Sequence, residues 1–114
     1  MLELPELPPP EPIRVTTNVA GTVDVVRGSP DSRIRVRFVQ FSVDGAVYAY
    51  LTFRSEANNP EKRIAPNYLV ARQTIPVNFI LLGEEILGPM QDTLQLVTDA
   101  NVNVDVQVDY NIVR

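Results

Sequence analysis

The sequence predicts an all-β fold: an antiparallel, jelly-roll-like β-sandwich of about seven or eight strands, with an extended proline-rich arm at the N-terminus. Residues 102 to 112 alternate apolar and polar side chains without a break, which is the period of a strand with one buried face. Short apolar segments recur along the chain with Gly, Pro, Asn and Asp between them, a spacing typical of sandwiches and barrels. Helical periodicity is hard to find.

The composition narrows the classes of function. The 114 residues suit one domain with a single core. Cys and His are absent, which removes disulfides, thiolate nucleophiles, the commonest zinc ligands and the commonest general base at neutral pH. The net charge of −4 disfavours binding to nucleic acid, which depends on clustered Lys and Arg. We therefore expect a protein that is not an enzyme and that uses no cofactor and no metal.

The N-terminus lacks the basic region and the continuous apolar stretch of a signal peptide. No segment approaches the roughly 20 apolar residues that span a bilayer. We therefore expect a soluble chain, made in the cytoplasm, with no membrane partner.

Residues 1–12 form the arm, and the sandwich domain is expected over 13–114. The arm contains Pro5, Pro8, Pro9, Pro10 and Pro12. This density of proline favours polyproline II and cannot join a central sheet. Leu2, Leu4 and Leu7 are spaced along it and would suit docking on a neighbouring protein, while a disordered terminus with three incidental leucines is the alternative. The PxxP spacing has acidic flanks, where SH3-type grooves usually prefer basic ones.

Turn residues divide the N-terminal half of the domain. The predicted segments are a strand over 14–26, a turn over 27–32, a strand over 33–43 and a strand over 46–54. Gly21 is expected to form a bulge or bend in the first strand. The Asp44-Gly45 pair between two alternating segments is the strongest hairpin signal in the chain.

The C-terminal half begins with a long polar loop, because residues 55–68 contain several Asn and Pro. A strand is expected within 69–82, where Pro76 favours an edge position or a split into two strands and residues 79–82 should be buried. The segments expected after it are a loop over 83–92 with a possible helical turn at 84–87, a strand over 93–98, a hairpin connection at 99–101 and the last strand at 102–112. In that last strand Val102, Val104, Val106, Val108, Tyr110 and Ile112 are expected to face the core.

Arg33, Arg35 and Arg37 form a row on one side of a predicted strand, with Ile34, Val36 and Phe38 on the other. One interpretation is an ion-pair ladder with Asp105 and Asp109 of the last strand. The row could instead bind an acidic protein surface, and a phosphate or nucleic-acid site is the remaining alternative.

Tyr48 and Tyr50 lie on one strand face, with Thr52 and Arg54 further along it. Paired tyrosines can anchor an interface or stack against a sugar. Carbohydrate-binding surfaces usually depend on Trp, which is absent. Ordinary packing or a subunit interface is therefore the preferred interpretation.

Two groups of oxygen ligands complete the candidates. Glu84, Glu85 and Asp92 could be acid–base carboxylates, yet nothing places two of them across a cleft, so a solvated loop is expected. Asp99, Asn101, Asn103 and Asp105 could bind calcium, although the last two belong to the alternating strand and are poorly spaced to surround one ion.

Several segments, in this order, resemble small β-sandwich virion proteins of tailed phages. They are Ser32–Arg37, Val43–Val47, Leu51–Ser55, Leu94–Thr98 and Val104–Tyr110. They match a basic strand, a central hairpin, a Phe-x-Ser strand end, a Leu-x-Leu strand and a closing valine ladder. The resemblance covers roughly residues 16 to 112 and leaves the arm outside.

The resemblance implies a head decoration, or cement, protein on the capsid exterior of a virion. Its partners would be the major capsid protein and neighbouring copies of itself, as a homotrimer. In that case Leu2, Leu4 and Leu7 would dock on one of these partners. The arginine row, or Tyr48 and Tyr50, would line an intersubunit contact.

The alternatives are a receptor- or carbohydrate-binding module of a fibre or spike, and a tail or baseplate component. The binding module would use the two tyrosines and the loops at 55–68 and 83–92.

Overall fold

A computed structural model of the chain describes residues 11–70, 73–79 and 86–114. Most of the predicted arm, with Leu2, Leu4 and Leu7, lies outside these residues. So do residues 80–82 of the predicted buried segment, together with Glu84 and Glu85. The first strand begins at Glu11, so residues 11 and 12, which the sequence assigned to the arm, belong to the folded domain.

The described part of the chain is built from strands and contains no α-helix. The strands are β1 Glu11–Thr17, β2 Gly21–Val26, β3 Arg33–Val43, β4 Val47–Phe53, β5 Ile64–Leu69, β6 Gln73–Asn78, β7 Ile86–Leu87, β8 Leu94–Thr98 and β9 Val104–Val113. Two short 3-10 turns, Arg54–Glu56 and Pro60–Lys62, connect β4 to β5. Within the same residues, no helix has the length and apolar character needed to cross a membrane.

The strands form two antiparallel sheets that enclose one core, which confirms the predicted all-β sandwich. One sheet has the order β1-β9-β3-β6, with β7 also paired to β3, and we call it the first sheet. The second sheet has the order β2-β8-β4-β5. The pairing is nested along the chain: β1 pairs with β9, β2 with β8, β3 with β6 and β7, and β4 with β5.

Alternating residues from both sheets fill the space between them. The first sheet contributes Ile34, Val36, Val39, Phe41, Val43, Val104, Val106 and Val108, and the second contributes Ala49, Leu51, Phe53, Leu94 and Leu96, all of them buried. Burying one large aliphatic or aromatic side chain contributes about 1.5–3 kcal/mol. The outer residues of both sheets therefore project from strands that are packed on one shared core.

A bulge in β3 breaks the predicted alternation. Val36 lies opposite Tyr110, whereas Phe38 lies opposite Asp109, so β3 holds one extra residue at Arg37. The inward positions are shifted by that residue, and Val39 is buried. The predicted alternation, which placed Phe38 on the same side as Ile34 and Val36, is wrong beyond the bulge: Val39 takes the buried position and Phe38 is half-buried.

The last strand follows its predicted pattern over most of its length. Val104, Val106 and Val108 are buried, as expected. At the C-terminal end Asn111 is buried instead and Ile112 is 38% exposed. Asn111 lies opposite Arg35 and accepts a hydrogen bond from Arg37 Nη1 at 2.8 Å.

Both predicted hairpins are wrong, because the short turns cross between the sheets. Asp44-Gly45 leads from β3 to β4, and residues 99–101 lead from β8 towards β9. The Asp44 carboxylate accepts hydrogen bonds from Asn103 N at 2.9 Å and Asn103 Nδ2 at 2.6 Å. A Cβ added to Gly45 would lie 2.6 Å from Val102 Cγ1. The two turns thus pack on each other, and glycine serves close packing rather than a hairpin.

The predicted strand over 14–26 is two strands in different sheets. The chain crosses over at residues 18–20 and enters β2 at Gly21, whose φ is +135°. Few residues other than glycine adopt this conformation. The expected bend at Gly21 is therefore a corner of the sandwich.

The middle of the chain holds one unexpected strand. Residues 64–69, predicted as part of a polar loop, form β5. Pro66 and Asn67 disfavour a strand, but β5 is at the edge of its sheet, where proline is tolerated. Pro76 lies in β6, which is an edge strand as predicted. Ile86 and Leu87 form the short β7 rather than part of a helical turn.

Candidate functional site

Three tyrosines cluster on the outer face of the second sheet. The inward positions of β4 are Val47, Ala49 and Leu51, so Tyr48 and Tyr50 point outward. Tyr68 of β5 lies directly opposite Tyr48. The ring centroids of Tyr48 and Tyr68 are 4.5 Å apart, and those of Tyr48 and Tyr50 are 5.6 Å apart.

Arg63 completes this cluster, which we call the tyrosine face (Tyr48, Tyr50, Tyr68 and Arg63). Its guanidinium lies 4.4 Å from the Tyr50 ring centroid, within cation–π range. Its Nη1 donates a hydrogen bond to Tyr48 Oη at 3.3 Å. That hydrogen bond is the main reason the pKa of Arg63 is raised, with a further contribution from the charge interaction with Tyr50. The face therefore combines closely packed, tilted rings with a positive charge held beside them.

The tyrosine face is open to solvent and adjoins an apolar groove. Tyr68 is 82% exposed, and Val70 just beyond it is 61% exposed. The groove measures about 400 Å³, within the range of ligand sites, and is lined by Ala46, Val47, Tyr48, Tyr68, Leu69, Val70, Asp99 and Ala100. Exposed aromatic and aliphatic side chains beside an arginine are the composition of an interface centre.

Asp99 at the end of this groove has a structural role. Its Oδ1 accepts a hydrogen bond from Tyr48 N at 2.7 Å. The Asp99 N–H in turn donates to Tyr48 O at 3.2 Å. These two bonds hold the start of β4 against the turn after β8, so they fix the position of Tyr48.

Further along the outer face, several polar groups pair with one another. Arg54 Nη2 lies 3.3 Å from Asp24 Oδ1, and Gln95 Nε2 donates to the same oxygen at 2.9 Å. The Gln95 hydrogen bond and then the charge of Arg54 lower the pKa of Asp24, against a smaller rise from desolvation. Thr52 is buried and donates to Phe53 O at 3.2 Å. Thr52 and Arg54 therefore do not extend the tyrosine face, although they follow it along the strand.

The arginine row lies on the outer side of the first sheet and is interrupted by the bulge. Arg33 is exposed, whereas Arg35 and Arg37 are half-buried. Arg37 Nη1 donates to Asn111 Oδ1 at 2.8 Å. Asp105, expected to face the row, instead pairs with Arg14 of β1 at 3.1 Å. The predicted ladder is wrong in this respect, because β9 pairs with β1 as well as with β3.

The remaining acidic and amide groups hold the loops together. Asp92 accepts hydrogen bonds from Ser55 N and Thr93 N, both at 3.0 Å, and from Ser55 Oγ. Asn101 Oδ1 accepts from Ala20 N at 2.7 Å. Across residues 11–70, 73–79 and 86–114, no group of three or more His, Cys, Asp or Glu is placed to hold a metal ion. Of the groups considered for calcium, Asp99 Oδ1 and Asn101 Oδ1 accept hydrogen bonds from backbone N–H groups, and the Asn103 side chain donates through Nδ2 to Asp44.

Sequence reasoning found two members of the tyrosine face and missed the other two. Tyr68 and Arg63 lie in the segment that was predicted to be a polar loop. The signal was present in Tyr68-Leu69-Val70, three residues of high β-propensity. Pro66 and Asn67, which precede these residues, favoured a loop and outweighed that signal.

Comparison with known proteins adds no function to this geometry. No protein-family model matches the sequence, and no curated protein matches it significantly.

Proposed function

We propose that this chain is a non-enzymatic structural protein of a virion, a capsid decoration or cement protein. It binds the outside of a phage head and stabilises contacts between major capsid subunits. The observation that carries the proposal is the tyrosine face, where Tyr68 is 82% exposed on strand β5. Large exposed aromatics beside arginine are favoured where a protein surface is covered by a partner.

The same proposal gives the sandwich a jelly-roll topology. The nested pairing supports it, since β1/β9 and β3/β6 share one sheet while β2/β8 and β4/β5 share the other. This is the pairing of a doubled ribbon wrapped around a core, the arrangement of two Greek keys. Capsid and lectin domains are both built in this way.

In the proposed assembly, the chain forms a homotrimer on the capsid and contacts the major capsid protein. The tyrosine face is the preferred intersubunit contact. The arginine row is the weaker candidate, because Arg37 is already hydrogen-bonded to Asn111. Leu2, Leu4 and Leu7 of the arm add a second contact. Many copies on one lattice strengthen each weak contact by avidity.

Binding to phage heads tests this proposal. Heads would be prepared from the encoding phage with this gene deleted, then mixed with purified chain and sedimented. We expect saturable binding at a fixed ratio to the major capsid protein and a higher temperature for release of the packaged DNA. Absence of the chain from the sedimented heads would contradict the proposal. Recovery with purified tails would favour a tail or baseplate component.

A carbohydrate- or receptor-binding module is the second candidate, favoured by the ring surface itself. Tyr48 and Tyr68 present two adjacent rings, and sugars stack on aromatic rings. A glycan array separates the two functions. Specific binding that Tyr68→Ala abolishes, together with no binding to heads, would favour the module.

A further inference from the structure

We infer that the tyrosine face binds the proline-rich arm, residues 2–10, of a second copy of this chain. This inference deepens the proposed function, on which it rests for the assembly that brings neighbouring copies together. It assigns the face one occupant, an acidic polyproline segment.

The aromatic chemistry of the tyrosine face suits a proline-rich segment. Proline-rich segments in polyproline II form dock on aromatic-lined grooves, because proline rings pack on aromatic faces and the segment has little entropy to lose. The tyrosine face offers the adjacent, mutually tilted rings of Tyr48 and Tyr68, with the groove beside them. The arm offers Pro5, Pro8, Pro9 and Pro10, interspersed with leucines that suit the apolar lining.

The charge of the arm is opposite to that of Arg63 on the tyrosine face. The arm carries Glu3 and Glu6 and no basic side chain. Arg63 holds a positive charge on the tyrosine face, over the Tyr50 ring. Asp99 lines the other end of the groove and keeps its negative charge while it accepts a hydrogen bond from Tyr48 N. The acidic residues of the arm, which argue against a conventional SH3-type groove, are therefore complementary to the Arg63 end of the face.

The arm leaves the sandwich at the end opposite to the one where Tyr48 and its groove lie. The arm joins β1 at Glu11, which pairs with Tyr110 near the C-terminal end of β9. Tyr48 lies at the other end, where its N–H binds Asp99 in the turn after β8. The strand β1 is also in the first sheet, whereas the tyrosine face is on the outside of the second.

These positions put the Tyr48 and Tyr68 end of the face, where the groove lies, beyond the reach of the prolines in the same copy. The distance from Glu11 to Tyr48 has three components: about 20 Å along β1, about 10 Å between the two sheets and about 10 Å across two strand spacings. Together they give a straight-line distance of roughly 24 Å through the core. Pro5 is six residues from Glu11, which allows at most about 21 Å when fully extended. Pro8 to Pro10 reach only about 10 Å. Since the real path must also go around the sandwich, the arm meets the face of another copy.

Disulfide trapping between copies tests this directly, because the chain has no cysteine of its own. Full-length Leu4→Cys and full-length Val70→Cys would be mixed under mild oxidation. Mass spectrometry of the linked peptides would identify heterodimers. We expect the Leu4→Cys and Val70→Cys pair to link at least tenfold faster than Leu4→Cys with Met90→Cys. Met90 is a matched control, 51% exposed and away from the face.

Equal linking rates for the two pairs would overturn the inference. A chain carrying both Leu4→Cys and Val70→Cys adds a second test. We expect it to give linked oligomers, whereas a monomer closed on itself would show docking within one copy and would contradict the proposal.

Peptide titration gives a readout that needs no assembly. A labelled peptide of residues 1–12 would be titrated with full-length chain and followed by fluorescence anisotropy. We expect saturable binding that Tyr68→Ala or Arg63→Gln weakens at least tenfold. The control variant Arg27→Gln should bind the peptide as tightly as the original chain, and a scrambled peptide should not bind. Binding that is insensitive to Tyr68→Ala and Arg63→Gln would overturn the inference.

Failure of this inference and failure of the proposed function are distinguishable. Heads that bind the chain while the arm peptide does not would keep the cement function and assign the tyrosine face to the capsid. Peptide binding without head binding would keep the arm contact and remove the cement function.

Discussion

The two outer faces of the sandwich share one core but differ in how their outer side chains are paired. On the first sheet the outer polar groups bind one another. The contacts are Arg14 with Asp105 at 3.1 Å, Arg37 with Asn111 at 2.8 Å and Ser42 with Thr74 at 3.2 Å. On the second sheet the rings of Tyr48, Tyr50 and Tyr68 pack against one another on the outer face, and Tyr68 is mostly exposed.

The difference indicates which face gains from a partner. Polar groups that are already paired lose those contacts or their hydration when another protein covers them, which offsets the new contacts. Exposed rings gain from being covered, because their apolar area leaves water. Under the proposed function, the outer face of the second sheet is therefore the side that binds a partner, and the outer face of the first sheet is the side whose polar groups pair with one another.

The largest expected effect lies in the shared core. Leu51→Ala under the tyrosine face and Phe41→Ala under the opposite face each remove a side chain with no exposed surface. We expect losses of about 2–5 kcal/mol in the free energy of unfolding for each, because a cavity remains. Urea denaturation followed by circular dichroism and tyrosine fluorescence measures this. Two separate transitions for one variant would show that the faces do not share a core.

A smaller effect is expected at Tyr68. Tyr68→Ala should weaken binding to heads at least tenfold, about 1.4 kcal/mol, because an exposed anchor is lost. Its free energy of unfolding should stay within about 0.5 kcal/mol of the original, as for other surface substitutions. Met90→Ala is the control for loss of an exposed side chain. Equal binding by the two variants would remove the distinction between the faces.

On the first sheet, Arg37→Ala should lower the free energy of unfolding by about 1 kcal/mol, the typical worth of one hydrogen bond. The bond from Arg37 reaches Asn111, which is buried. Thermal unfolding would measure the loss, with the exposed Arg27→Ala as control. A loss no greater than that of the control would show that the polar contacts of this face contribute little.

The smallest effect is a pH dependence at Asp24. The pKa of this carboxyl is lowered by its Gln95 hydrogen bond and by Arg54, so the folded state is favoured while Asp24 is charged. The stabilisation is present above the unfolded value, near 3.8, and is lost as the pH falls through the lower folded value. For an exposed pair we expect a few tenths of a kcal/mol. Comparing acid unfolding of the original chain and Asp24→Asn measures it, and identical pH profiles would contradict the assignment.

Strand positions could be predicted from the sequence where alternation is regular, but strand partners could not. The strand predicted over 33–43 is β3, and β4 and β8 lie where expected. Asp44-Gly45 looks like a hairpin because turn residues report a reversal of direction without reporting which sheet the chain enters next. That choice depends on distant residues, such as Asn103 on Asp44.

The candidate site was predictable only in part for the same reason. The alternation of β4 exposes Tyr48 and Tyr50, but their neighbours Tyr68 and Arg63 come from an edge strand and from the turn before it. Edge strands tolerate proline, so local propensity understates them. The bulge at Arg37 likewise has no local signal, and it changed the environment of Phe38.

The native mass of the full-length chain in solution, measured by light scattering over a range of concentrations, tests the central claim most directly. The central claim is that copies of this chain meet through the tyrosine face. The account predicts a mass that rises well above the 12.7 kDa of one chain for the original protein and for Met90→Ala. Tyr68→Ala should stay near the mass of one chain. The same mass for all three proteins at every concentration would contradict it.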